Sequence, residues 1–90
     1  MPITESELAE YRRELEQICS RLAAESDRTK VIGSDLCQMA WAERNDRSVC
    51  ISRSDQGAFV ELWQGDVDTD IEVPTYEDGI QIATEWLRGG

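Results

Sequence analysis

Histidine is missing from the 90 residues altogether. The commonest general base and the commonest metal ligand of proteins are therefore out of reach. The three cysteines, Cys19, Cys37 and Cys50, form no C-x-x-C pair that would stand in for it, so neither a zinc site nor a disulfide framework is indicated. A reducing cytoplasm is the expected setting. Glycine-rich phosphate loops and nucleophile elbows are lacking too, and the three scattered cysteines have no neighbouring base in sequence. The expectation is a protein that is not an enzyme and holds no cofactor or metal. No apolar run reaches the length of a membrane span, and Met1 leads into a polar, helix-starting segment instead of the apolar core of a signal peptide. A soluble chain that stays off membranes and remains where it is made is expected.

Basic residues are the last shortage. Nine Lys and Arg stand against nineteen Asp and Glu, a net charge of −10. From Met1 to Ser54 there are ten acids and eight bases, whereas from Asp55 to Leu87 there are nine acids and no base. This distribution argues against direct contact with nucleic acid and for one acidic face, serving either a basic partner or plain solubility.

What is present is enough for one domain, residues 1–90, with a single core. Thr4-Glu5-Ser6-Glu7 is a capping box that starts a helix, and Leu8, Tyr11, Leu15, Ile18 and Leu22 follow at spacings of three and four as one apolar stripe. Ser26, Asp27 and Thr29 mark its end. Near the other terminus Pro74 stops a strand and Thr75-Tyr76-Glu77-Asp78 is a second capping box. Tyr76, Ile80, Ala83 and Leu87 form the stripe of that helix, widened by Ile82 and Trp86, with Gly89 and Gly90 as its left-handed stop.

Between the helices the period changes from 3.6 to 2. Asp66 to Val73 alternates acid with apolar or β-branched residue, which places Val67, Thr69, Ile71 and Val73 toward a core and Asp66, Asp68, Asp70 and Glu72 on the opposite face. Ala58 to Trp63 and Val49 to Ile51 are β-rich, with turns at Asp55-Gln56-Gly57 and Asn45-Asp46. The segment Leu36 to Glu43 has good helix formers, but the neighbouring short runs and turns favour a strand. The expected fold is therefore α+β in two layers: an N-terminal helix, a four-stranded antiparallel meander and a C-terminal helix, with both helices on one face of the sheet. Turn centres at Asn45/Asp46, Asp55/Gln56 and Gln64/Gly65 give a core face of Ala40, Ala42, Val49, Ile51, Ala58, Val60, Leu62, Val67, Thr69 and Ile71. The open face then holds Met39, Trp41, Cys50, Phe59, Glu61, Trp63, Asp66, Asp68 and Asp70.

The acidic run also resembles an EF-hand calcium loop, with Asp66, Asp68 and Asp70 in the first, third and fifth places and Glu77 in the twelfth. Ile71 stands where the sharp turn needs glycine, and no calcium is expected to bind. The closing Leu87-Arg88-Gly89-Gly90 looks like the tail of ubiquitin-type modifiers, but glycines that cap a helix explain it without conjugation. Carboxylates are plentiful, yet an open row on a strand is expected to stay solvated and to lack the raised pKa of a general acid.

The candidate binding surface is Trp41, Phe59 and Trp63 as apolar anchors, with Glu61, Asp66, Asp68 and Asp70 as the charged margin. A homodimer formed through the same face is the competing use of such a patch. In size, acidity, helix-meander-helix order and the closing stretch from Val73-Pro74-Thr75-Tyr76-Glu77-Asp78 to Trp86-Leu87, the chain resembles the small acidic immunity proteins of bacterial toxin systems. The resemblance implies a cytoplasmic inhibitor that binds one cognate toxin by covering a basic surface. Two other readings stand beside it. Carboxylates about 6.5 Å apart along a strand approximate the phosphate spacing of a nucleic acid, which suits an anti-nuclease or anti-defence inhibitor. A homo-oligomeric, chaperone-like adaptor would instead hold an apolar client on the aromatic residues.

Overall fold

A computed structural model of the chain describes residues 4–89. The ends of the expected 1–90 domain, including Met1 and the second glycine of the closing pair, Gly90, lie outside the described residues. Helix α1 spans Glu5–Leu22 and helix α2 spans Tyr76–Arg88. The strands between them are β1 (Arg28–Ile32), β2 (Met39–Arg44), β3 (Arg47–Ser54), β4 (Gly57–Gln64) and β5 (Val67–Val73). Every strand pairs antiparallel with the next, in the sheet order β1-β2-β3-β4-β5.

The helix-meander-helix outline is as expected, but the sheet has five strands and not four. The additional one, β1, includes Thr29, which the sequence alone assigns to the end of the first helix. Arg28-Thr29-Lys30-Val31-Ile32 carries period-2 alternation of its own, and its two cations masked the strand signal. Between β1 and β2 the helix formers after Ser34 make a single 3-10 turn, Asp35–Cys37, before β2 begins at Met39.

Both capping threonines do what their spacing requires. Thr4 Oγ1 accepts from Glu7 N at 3.1 Å, and Thr75 Oγ1 accepts from Asp78 N at 3.1 Å. Gly89 closes α2 in the left-handed conformation at φ 88. α1 lies against β1 and β2, and α2 against β3 and β4, so both cover the same face of the sheet. The core between the layers contains Tyr11, Leu15, Ile18 and Leu22 from α1, and Ile80, Ala83 and Leu87 from α2. The sheet adds Ala40, Ala42, Val49, Ile51, Ala58, Val60 and Leu62. Burying one of the larger of these side chains stabilises by about 1.5–3 kcal/mol. The small residues let the layers approach, and at Gly79 a Cβ would already lie 3.2 Å from Val60 Cγ2.

Two polar bolts join the layers. The buried Tyr11 hydroxyl donates to Gln38 O at 2.8 Å and accepts from Arg53 N at 3.1 Å, tying α1 to β3 and to the chain entering β2. Trp86 Nε1 donates to Ser48 O at 3.0 Å, while the Arg47 guanidinium lies 4.5 Å from the centre of the Trp86 ring.

Register follows the expected counting through β4. Ala42 pairs with Val49, and Ile51 pairs with Val60. The last hairpin differs. Its turn is Gly65-Asp66, with Gly65 at φ 59, so Trp63 pairs with Asp68 where a Gln64/Gly65 centre would oppose it to Asp66. The slip is two residues, and an even slip leaves every side chain on its own face. Burial of β5 is corrected as well. Val73 is buried and Ile71 partly so, but Thr69 is exposed and Val67 is 59 % exposed. The cause is the path of α2, which runs over β3 and β4 from Gly79 beside Ala58, Val60 and Val73 to Trp86 beside Ser48, leaving most of β5 uncovered.

Candidate functional site

The face of the sheet turned away from the helices is the candidate site, and the ladder fixes its map. One row runs Lys30, Trp41, Cys50, Glu61, Asp70 across the five strands. The next runs Arg28, Glu43, Ser48, Trp63, Asp68. In a third, Ser52, Phe59 and Glu72 are neighbours on β3, β4 and β5. Of the expected surface, Phe59, Glu61, Trp63, Asp68 and Asp70 therefore form one contiguous patch on β4 and β5. Trp41 shares the face but sits two strands from Glu61. Asp66 is corrected: it lies in the β4–β5 turn at the rim and not on the strand.

The aromatic residues are half-buried and not fully open. Trp41 is engaged from the β1 side, with the Arg28 guanidinium 5.7 Å and the Lys30 ammonium 5.4 Å from its ring centre. Arg28 also bonds Glu43 at 2.6 Å. The face is thus polar in the electrical sense, with cations over Trp41 at the β1 edge and Asp68, Asp70 and Glu72 along the β5 edge. Sequence counting missed the cationic side because it missed β1; the alternation of Arg28 and Lys30 with Thr29 and Val31 was the available signal. Glu72, paired with Phe59, extends the acidic patch beyond the expected set.

Two of the carboxylates, Glu61 and Asp70, depart from a fully solvated row. Loss of hydration raises the pKa of Glu61, and the charges of Asp70 and Asp68 raise it further. Asp70 is raised by lost hydration first, then by the charge of Asp68 and a hydrogen bond with it. A neighbouring cation would offset the part of these shifts that comes from like charges, though not the part that comes from lost hydration. Cys50, in the row between Trp41 and Glu61, is 1 % exposed, and burial pushes its thiol up to about 12. It is a packed, protonated side chain and no nucleophile.

The residues of the calcium-like spacing are dispersed. Asp66 is in a turn, Asp68 and Asp70 are on a strand, and both carboxylate oxygens of Glu77 on α2 are held by Arg21 at 2.7 and 2.9 Å. Among the described residues, no group of three or more His, Cys, Asp or Glu is placed to hold a metal ion. Comparison with family models, with curated proteins and with solved structures finds no match to this chain. No described helix is long and apolar enough to cross a membrane.

On the other side of the molecule a groove of about 510 Å³ runs between the helices over Ile18, Tyr76 and Ile80. Its rim charges are paired within the fold, Arg21 with Glu77 and Glu14 with Arg53 at 2.8 Å. The Tyr76 hydroxyl is buried there without a hydrogen bond among the described residues. The groove therefore offers a ligand an apolar floor and, beyond the Tyr76 hydroxyl, little to orient it, whereas the open face offers aromatic rings and uncompensated charge together.

Proposed function

We infer that the protein is an inhibitor that works by binding another protein: an immunity protein that neutralises a toxin by covering the toxin's basic surface. One observation carries the reading. Trp63 and Phe59 lie directly across the ladder from Asp68 and Glu72, and Glu61 across from Asp70, so half-buried aromatic rings and crowded carboxylates occupy one patch. A basic partner would place apolar stems and aromatic contacts on the rings while its cations discharge the repulsion among Glu61, Asp68 and Asp70. The same patch is poorly suited to a symmetric homodimer, which would bring acids against acids. Within this reading the inhibitor acts in the cytoplasm, beside the toxin it restrains, and performs no chemistry itself.

Co-expression with the product of the adjacent gene, followed by purification on a tag carried by only one of the two, tests the proposal. A stoichiometric complex that silences a basic toxin is expected. A neighbour that is neither basic nor retained, or a complex whose interface is the helical side, would sink it.

A further inference from the structure

We propose that the edge of β5 is itself a docking element: the basic partner lays an extended segment beside β5 as a sixth strand, and in that segment basic residues alternate with apolar ones. The inference rests on the reading above and adds to it the mode of recognition and the pattern of the recognised sequence. β5 is the last strand of the sheet, so its outward N–H and C=O groups face no further strand among the described residues. Such an edge is a template for another chain. On one side of this edge stand Asp68, Asp70 and Glu72, all exposed. On the other stand Val67, which is 59 % exposed, exposed Thr69 and partly covered Ile71, because α2 passes over β3 and β4 instead. Side chains of an added strand alternate between the same two sides. Every second residue would meet a carboxylate, and the residues between would cover the apolar shelf, with main-chain hydrogen bonds supplying affinity and the alternation supplying specificity.

Two copies of this chain are the obvious rival occupants. β5 against β5 would stack Asp68, Asp70 and Glu72 on their own kind, which is destabilising. The strand β1, Arg28-Thr29-Lys30-Val31-Ile32, does have the complementary alternation. Its cations, however, are already held over Trp41 and on Glu43, and joining two chains means bringing together net charges of −10. A foreign basic segment meets neither obstacle.

The probe is a capped nine-residue peptide in which Lys alternates with Val, titrated into the full chain at low ionic strength and followed by two-dimensional NMR. Two companions are titrated in parallel: the same composition with the lysines in one block, and the alternating peptide N-methylated on alternate amides, once for each of its edges. The alternating peptide should bind, shift the amides of residues 67–73 and slow their hydrogen exchange. Methylation of one edge should weaken it at least about tenfold, since several ladder bonds are lost together. If the block and both methylated peptides bind equally well, with shifts confined to Trp41, Trp63 and the carboxylates, the edge is not the docking element while the acidic face remains one. If no peptide binds and no resonance of the face moves, the edge inference and the basic-partner reading fail together. If sedimentation shows a dimer that Lys30→Glu abolishes, the edge belongs to a second copy and the proposal is overturned.

Discussion

Tyr11 shows how much of this fold depends on one hydroxyl. It satisfies a backbone carbonyl at Gln38 and a backbone N–H at Arg53, groups 15 residues apart that its position on α1 holds together. Tyr11→Phe keeps the packing and orphans both groups, a loss of about 2 kcal/mol. Urea denaturation should report it as a lower midpoint at unchanged slope; an unchanged midpoint would mean that both groups find other partners. Glu61 acts in the opposite sense. Its folded pKa lies above the ordinary value, so the folded state prefers the protonated form, and its cost to stability is absent below about pH 4.5 and grows as pH rises through the folded value. Glu61→Gln should therefore raise the urea midpoint at pH 7, and the gain should vanish as pH falls toward 4.5. Glu25 and Glu77 are held down by hydrogen bonds from Arg88 and Arg21, so their contribution is present above the ordinary range and lost only below it. The two effects are separable by pH.

At the scale of elements the hairpins carry the information. Asn45 at φ 56 and Gly65 at φ 59 open the two-residue turns before β3 and β5, and nothing lies within 4 Å of a Cβ at Gly65. Asn tolerates this conformation, so Gly65→Asn should cost only a few tenths of a kcal/mol. Gly57 is different. At φ 141 it begins β4 with Pro74 O in clashing contact with where a Cβ would be, in the chain that leads into α2. Gly57→Ala should lose more than about 2 kcal/mol, from strained backbone and from the displacement of Pro74, and thermal denaturation of the pair of variants would show the contrast. The helices were legible because capping boxes and 3.6-residue stripes are local. The register of β5 was not, because Gln64/Gly65 and Gly65/Asp66 are both acceptable turn centres by composition, and the positive φ at the first turn position separates them only in the folded hairpin.

For the whole molecule the relevant quantity is the separation of charge across the open face. With the acids gathered on β4 and β5, long-range attraction should govern the rate at which the proposed basic partner arrives, and the half-buried rings should govern how long it stays. Asp68→Lys combined with Asp70→Lys should slow association markedly at low salt and little at high salt, while Trp63→Ala should speed dissociation by tenfold or more with association nearly unchanged. Surface-resonance kinetics at two salt concentrations would check both. If Trp63→Ala unfolds the domain, its half-burial serves the fold and the surface assignment fails.

The sequence by itself determined the two helices, the period-2 strands between them, and which side chains share a face, since each of these follows from a spacing along the chain and survives a slip of two residues. It also placed Phe59, Glu61, Trp63, Asp68 and Asp70 together. The fifth strand had a period-2 signal in Arg28 to Ile32 that its cations obscured, whereas tertiary structure alone decided that Arg28 and Lys30 cover Trp41 and that Val67 and Thr69 lie beyond the helical layer. These depend on where α2 crosses the sheet and which strand ends at its edge. Burial is a property of neighbours brought together by folding, and no alternation along one strand can report which neighbour is there.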